Sequence, residues 1–114
     1  MNIDKSLLAG STGMLILKLL EEKDMYGYEM IEELRRRSDH TFDFKAGTLY
    51  PLLHSLEDKC LLSSYENTQA PKKRKYYTIT KKGLRYLSDK KAEWKLYTSA
   101  VNQVLGGVSY GILS

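Results

Sequence analysis

Lys45-Ala-Gly-Thr-Leu-Tyr-Pro-Leu-Leu-His-Ser-Leu-Glu57 is the stretch on which the reading of this chain turns. Leu49, Leu52, Leu53 and Leu56 recur along one helical face, so a helix over about residues 46–60 is expected to bury a leucine stripe. The same rotation leaves Thr48, Tyr50, His54 and Ser55 outward or on the flanks. Lys45, Ala46 and Gly47 precede them, a first turn open to close approach. Pro51 removes an amide donor, which predicts an irregular first turn without a shifted helix start.

Working toward the N-terminus, Met14-Leu-Ile-Leu-Lys-Leu-Leu20 is apolar on nearly every side and follows Ser11 and Thr12, both available to cap a helix start. It reads as a deeply buried first helix. Glu21 to Asp24 form a polar break, and Met30, Ile31 and Leu34 then recur at helical spacing within Tyr26–Arg37. Ser38 to Phe44 is short and polar, a connection to the third helix. Three helices with short links make a helix-turn-helix core.

Toward the C-terminus the period changes. Leu62–Asn67 and Arg74–Ile79 read as strands, joined by Thr68-Gln-Ala-Pro-Lys-Lys73. A lone hairpin is marginal, so this two-stranded wing is expected to lean on the core through Tyr77 and Ile79. Thr80 suits the cap of a last helix from Lys81 to about Leu105, ended by Gly106-Gly107. Leu87, Trp94, Val101 and Val108 lie seven apart, with Tyr97 and Val104 in a neighbouring row. So long an apolar seam on a small core calls for a second copy to bury it. The expected fold is mainly α with a small β-hairpin: a winged helix-turn-helix over residues 1–80, then a C-terminal dimerisation helix and tail over 81–114.

At 114 residues, 42% hydrophobic and 28% charged, the composition is that of one globular domain with no apolar run long enough for a membrane span or signal peptide. A cytoplasmic protein is expected. Cys60 is the only cysteine, and with His40 and His54 it supplies no familiar zinc spacing, so neither metal nor cofactor is expected. Phosphate-binding glycine loops, nucleophile elbows and paired metal-ligand spacings are absent, which argues against an enzyme. The net charge of +4 is mild but uneven: residues 1–44 carry nine acids against six bases, residues 71–95 ten bases against two acids.

A basic run often marks only a solvated face, but here it sits at a hairpin beside aromatics and follows a helix with an open N-terminal turn. Duplex DNA presents a dense line of phosphates, and cations gain affinity by releasing its condensed counterions. Lys72, Lys73, Arg74 and Lys75 are therefore candidate phosphate or minor-groove contacts, with Arg74 best suited to a narrow groove by its planar donor fork. The third helix offers Lys45, Gly47 and Thr48 at its amide-rich N-terminus, and Tyr50 as a phosphate or thymine-methyl contact against the plainer reading of a half-buried aromatic. Tyr26 and Gly27 could present a further amide to the backbone, with core or rim packing the equal alternative for Tyr26 and Tyr28. Arg35, Arg36 and Arg37 read as a solvated helix end beside a carboxylate-rich face. The competing class is a winged-helix module that contacts an acidic protein surface and leaves DNA alone.

In this order the elements resemble the PadR family of bacterial winged-helix transcriptional regulators, in its short form with a single C-terminal helix. Tyr26-Gly-Tyr-Glu29, Gly47-Thr-Leu-Tyr-Pro-Leu-Leu53, Leu56-Glu57 and Lys75-Tyr-Tyr-Thr-Ile-Thr-Lys-Lys-Gly83 carry the resemblance. It implies a homodimer on a pseudo-palindromic operator, its last helices cross-packed with the partner and with the first helix, where Leu7 and Leu8 join Leu87, Trp94, Tyr97, Val101, Val104, Leu105 and Val108. It also implies a repressor of a detoxification, efflux or stress operon. The chain departs from the family at Cys60, where a glycine is usual and a tighter or shorter helix end is expected, and at Thr68–Pro71, where wing glycines are usual.

Trp94, with Tyr97, is the candidate effector site. Two symmetry-related indoles would leave a flat slot for a planar apolar or phenolic molecule, as in family members similar in this respect; packing alone is the other reading. Cys60 is expected to be a small buried residue.

Overall fold

The computed structural model describes residues 3–69 and 71–106. The sequence expectations for Gly107, Val108 and the tail, and for Ala70 in the wing, lie outside them. Elements run α1 (Lys5–Ala9), α2 (Thr12–Glu22), β1 (Met25–Tyr26), α3 (Gly27–Arg37), α4 (Ala46–Asp58), β2 (Leu62–Asn67), β3 (Arg74–Ile79) and α5 (Lys81–Val104). The helices of the core and both wing strands fall where periodicity put them. Two elements do not follow from periodicity: the short α1, and β1, which pairs with β3 and makes the hairpin a three-stranded antiparallel sheet in the order β1-β3-β2. A two-residue strand is too short to show alternation.

The core is the α2 stripe Ile16, Leu17, Leu19 and Leu20 packed on Met30, Ile31 and Leu34 of α3, on Leu49, Leu53 and Leu56 of α4, and on Leu61, Leu62 and Tyr77 of the sheet. Tyr77 is buried and Ile79 packs against the core at its edge, the expected lean of the wing. Burial, then the nearby Tyr50 and Glu57, holds the Tyr77 phenol above its usual range, so it is neutral throughout the physiological interval.

Local chemistry explains the element ends, with three corrections. The α2 start is not capped by a hydroxyl of Ser11 or Thr12; both donate backward to the Leu8 carbonyl, at 3.3 and 2.8 Å, fastening α1 to α2. Pro51 causes no irregular turn: α4 starts at Ala46 and runs unbroken through it. Cys60 is exposed rather than buried. It adopts φ 62° immediately beyond the α4 cap Lys59, its N–H donates to the Glu57 carbonyl (2.9 Å), and the Leu61 N–H donates to Leu56 (3.0 Å). This is the left-handed close of a helix in which glycine is favoured, and its geometry turns the cysteine side chain to solvent.

The Thr80 Oγ1 accepts from the Gly83 amide at 2.9 Å, as expected of a cap, and also donates to the Cys60 carbonyl at 2.7 Å. A Cβ at Gly83 would run into the Leu61 carbonyl and lie 2.7 Å from Ile79 Cγ1, so glycine lets α5 leave the sheet flush against β2. Leu87 is corrected from the dimerisation row: it is 1% exposed and buried in the protomer's own core, beyond the reach of a second chain. From Trp94 onward α5 projects from that core with Tyr97, Val104 and Leu105 exposed. No helix among the described residues is long and apolar enough to cross a membrane.

Candidate nucleic-acid interface

The α4 N-terminus is open. Lys45 is exposed and reaches Asp43 only at 3.9 Å, Gly47 and Thr48 are exposed, and a Cβ built on Gly47 meets nothing within 4 Å. Free amides, partial positive helix charge and clear space coincide there. His54 and Ser55 continue the exposed face, while Leu52 lies half-buried at its border.

Tyr50 lies between its two sequence readings. It is half-buried, and its ring covers Gly27 at the start of α3: a Cβ at 27 would lie 2.6 Å from Tyr50 Cζ and closer still to its hydroxyl. Gly27 is accordingly buried, which corrects its assignment as an exposed backbone contact; it admits the tyrosine ring. The Glu29 carboxylate turns back to accept the Tyr26 amide at 3.2 Å, tightening the same helix start.

Charge pairing separates the arginines. Arg35 pairs with Glu32 and Asp43, Arg36 with Glu33, and Arg37 with Glu33 and Glu22. These form the ion-paired helix end read from sequence. By contrast, no carboxylate among the described residues pairs with Lys72, Lys73, Arg74 or Lys75. Lys72, Lys73 and Lys75 are exposed, and Lys75 Nζ lies 5.6 Å from the Tyr77 ring. The turn leaves β2 through an Asn67 side chain that accepts the Gln69 amide at 3.0 Å.

Periodicity along single segments did not reveal an aromatic row crossing the sheet. Register places Tyr26, Tyr76 and Tyr65 directly opposite one another on β1, β3 and β2. Tyr26 and Tyr76 meet edge to face at 5.5 Å, Tyr76 and Tyr65 stack at 5.9 Å, and the Tyr65 hydroxyl donates to Asp24 Oδ2 at 2.7 Å. Arg74, two residues before Tyr76 and thus on the same face, lays its guanidinium over the Tyr26 ring at 4.2 Å. A sequence signal existed in the alternation of Arg74 and Tyr76, but the partner strand β1 was not legible.

At the other end of the molecule, Trp94 and Tyr97 sit together, ring centroids 6.2 Å apart, and line a groove of about 380 Å³ with Leu7, Met14, Lys90 and Glu93. Leu7 is exposed and Leu8 half-buried against the core. The groove is roofed by α1, the helix that periodicity did not supply.

A model of the transcriptional regulator PadR-like family matches residues 16–89. Among solved structures, a transcriptional regulator from Clostridium thermocellum is 34% identical with a TM-score of 0.82, covering 87% of this chain and 97% of that one. A PadR family transcription regulator from Clostridium difficile is 39% identical with a TM-score of 0.75 (83% and 98% covered), and a PadR-like transcriptional regulator from Bacillus cereus is 32% identical with a TM-score of 0.80 (91% and 100%). An uncharacterized protein of Lysinibacillus sphaericus is 34% identical over 107 residues, 93% of this chain and 98% of that one. The solved neighbours share this fold over most of the chain, and with the family model matching residues 16–89 the chain belongs to the PadR-like family of transcriptional regulators.

Proposed function

We propose that the protein is a cytoplasmic, homodimeric, DNA-binding repressor that recognises a pseudo-palindromic operator and governs a detoxification, efflux or stress operon. The observation that carries the DNA reading is the contrast in pairing: Arg35, Arg36 and Arg37 are all taken up by carboxylates, whereas the wing holds its four cations without one. Cations kept free of internal partners suit a polyanion. The open α4 start supplies the second contact element. The exposed row Trp94, Tyr97, Val104 and Leu105, with half-buried Val101 among them and Leu7 beside it, supports dimerisation, since it leaves a long apolar face in water.

Replacing Lys72, Lys73 and Lys75 together by alanine is expected to weaken binding to any duplex and flatten its salt dependence. Tyr50→Ala should harm a selected high-affinity duplex more than a random one. Parental binding by both variants, or a protein partner captured where no duplex is enriched, would return the chain to the interaction-module class. The groove under α1 favours a further reading, release by a planar apolar or phenolic effector held by Trp94 and Tyr97. Titration with planar aromatics should quench Trp94 emission; no quenching removes the effector.

A further inference from the structure

Among the four wing cations Arg74 is the only one with its charged group laid on a tyrosine face at close range, and this changes the role that its side-chain type suggests. We propose that Arg74 is a clamp for a DNA backbone phosphate, held in place by the Tyr26–Tyr76–Tyr65 row, and that entry into a groove falls to Lys72 and Lys73. The inference rests on the DNA-binding reading above.

Arg74 is the first residue of β3 and opposes Asn67, the last of β2, so it stands where the ladder ends and the turn begins, still within the paired strands, whereas Lys72 and Lys73 lie in the turn itself. Its guanidinium is pinned to a ring that is itself fixed on one edge by Tyr76, and through Tyr76 and Tyr65 to the Asp24 carboxylate. A side chain seated there gives up this contact if it extends with the turn. The ring covers the guanidinium from one side at 4.2 Å, and no carboxylate among the described residues takes up its N–H donors. An edge-on planar fork matches two oxygens of one phosphate. Because the stack restrains the fork before binding, less side-chain freedom is lost in making the contact. Lys72 and Lys73 are exposed in the turn itself and carry no such tether.

Tyr26, Tyr76 and Tyr65 are positioning residues in this arrangement. The Tyr65–Asp24 hydrogen bond belongs to it: that bond holds the phenol above its usual range, so Tyr65 stays a donor and the end of the row stays fixed. This half-buried polar-aromatic face of the sheet, with Tyr65 at its exposed end, is then accounted for without a second macromolecular partner.

The test uses the full chain and two duplexes of equal length, one built on A-tracts and one of mixed sequence, titrated over a range of salt. Arg74→Ala should weaken both equally, by roughly tenfold, as loss of a charged hydrogen-bonded contact does. The slope of log affinity against log salt should fall by about 0.9, one phosphate's share. Arg74→Lys should keep the slope and still lose affinity. Tyr26→Leu should lose affinity with the slope unchanged, add nothing in the Arg74→Ala background, and be rescued by Tyr26→Phe, which keeps the ring. In the free protein, the Arg74 Nε–H proton resonance should show a ring-current shift that Tyr26→Leu abolishes while the remaining spectrum persists, separating a displaced arginine from a misfolded domain.

A loss confined to the A-tract duplex would show groove insertion and overturn the clamp. Additive effects of Tyr26→Leu and Arg74→Ala would overturn the positioning role. Failure of the unsubstituted protein to bind either duplex at low salt would sink the DNA reading and this inference with it, a result distinct from the other two.

Discussion

The ring of Tyr50 lies across the backbone of Gly27, so the helix with the open N-terminus and the helix before it meet through an aromatic face on a bare Cα. A methyl at 27 collides with the end of a side chain, which can swing away. Gly27→Ala is therefore expected to cost about 1–2 kcal/mol through displacement of Tyr50, without unfolding the domain. In a Tyr50→Ala background the same step should become neutral or slightly favourable, alanine being the better helix former. Denaturant melts of the four proteins measure this; simple additivity would mean that the contact does not set the cost.

Cys60 closes α4 at φ 62°, a conformation that penalises a Cβ. Cys60→Gly should raise stability by roughly 0.5–1 kcal/mol, the relief of strain exceeding the added chain entropy. Gly83→Ala should do the opposite and by more, since its methyl would press on the Leu61 carbonyl, a backbone atom with nowhere to go. Thermal midpoints that fail to move apart in these two variants would contradict the geometry of the α4–β2–α5 junction.

Hydrogen bonds from Arg36 and Arg37 bring the Glu33 carboxyl from the usual 4.5 to about 2, and Arg37 and Arg35 likewise lower Glu22 and Asp43. The unfolded chain takes up the Glu33 proton near 4.5 and the folded chain only near 2, so in that window unfolding binds a proton; Glu22 and Asp43 act in the same direction. The Glu33 contribution is complete above the upper value and disappears as pH falls to the lower. Acid titration of unfolding free energy should drop through this interval, less steeply in Glu33→Gln. The pairs are solvent-exposed, so the change should be modest and reduced by salt.

Trp94 is 44% exposed in a lone protomer and stands in the row assigned to self-association. Its emission should shift to the blue as protein concentration rises through the dimerisation range. Val104→Glu, on a side chain 87% exposed, should abolish the shift without disturbing the core. Sedimentation at matched concentrations checks the assignment; concentration-independent emission from a sedimenting dimer would place Trp94 outside the interface.

Periodicity carried much of the fold. Leucine spacing located α4, alternation located β2 and β3, and Thr80 marked the start of α5, because each of these is set by interactions within a few residues. The charge contrast between the two halves of the chain was equally local and pointed to the wing. The short α1 and the two-residue β1 were not visible, since neither is long enough to display a period; one exists by its bonds to the Ser11 and Thr12 hydroxyls, the other by its pairing with β3.

What the sequence by itself determined was the kind of protein: a winged helix with a basic hairpin and an apolar last helix, legible because burial and charge repeat at fixed intervals. What only the tertiary structure decided was the office of single residues. Tyr50 covers Gly27, Leu87 belongs to the protomer's own core, Cys60 faces solvent and Arg74 rests on Tyr26. Each of the four depends on which distant segment, or which backbone angle, meets the side chain. Spacing along the chain carries no term for that.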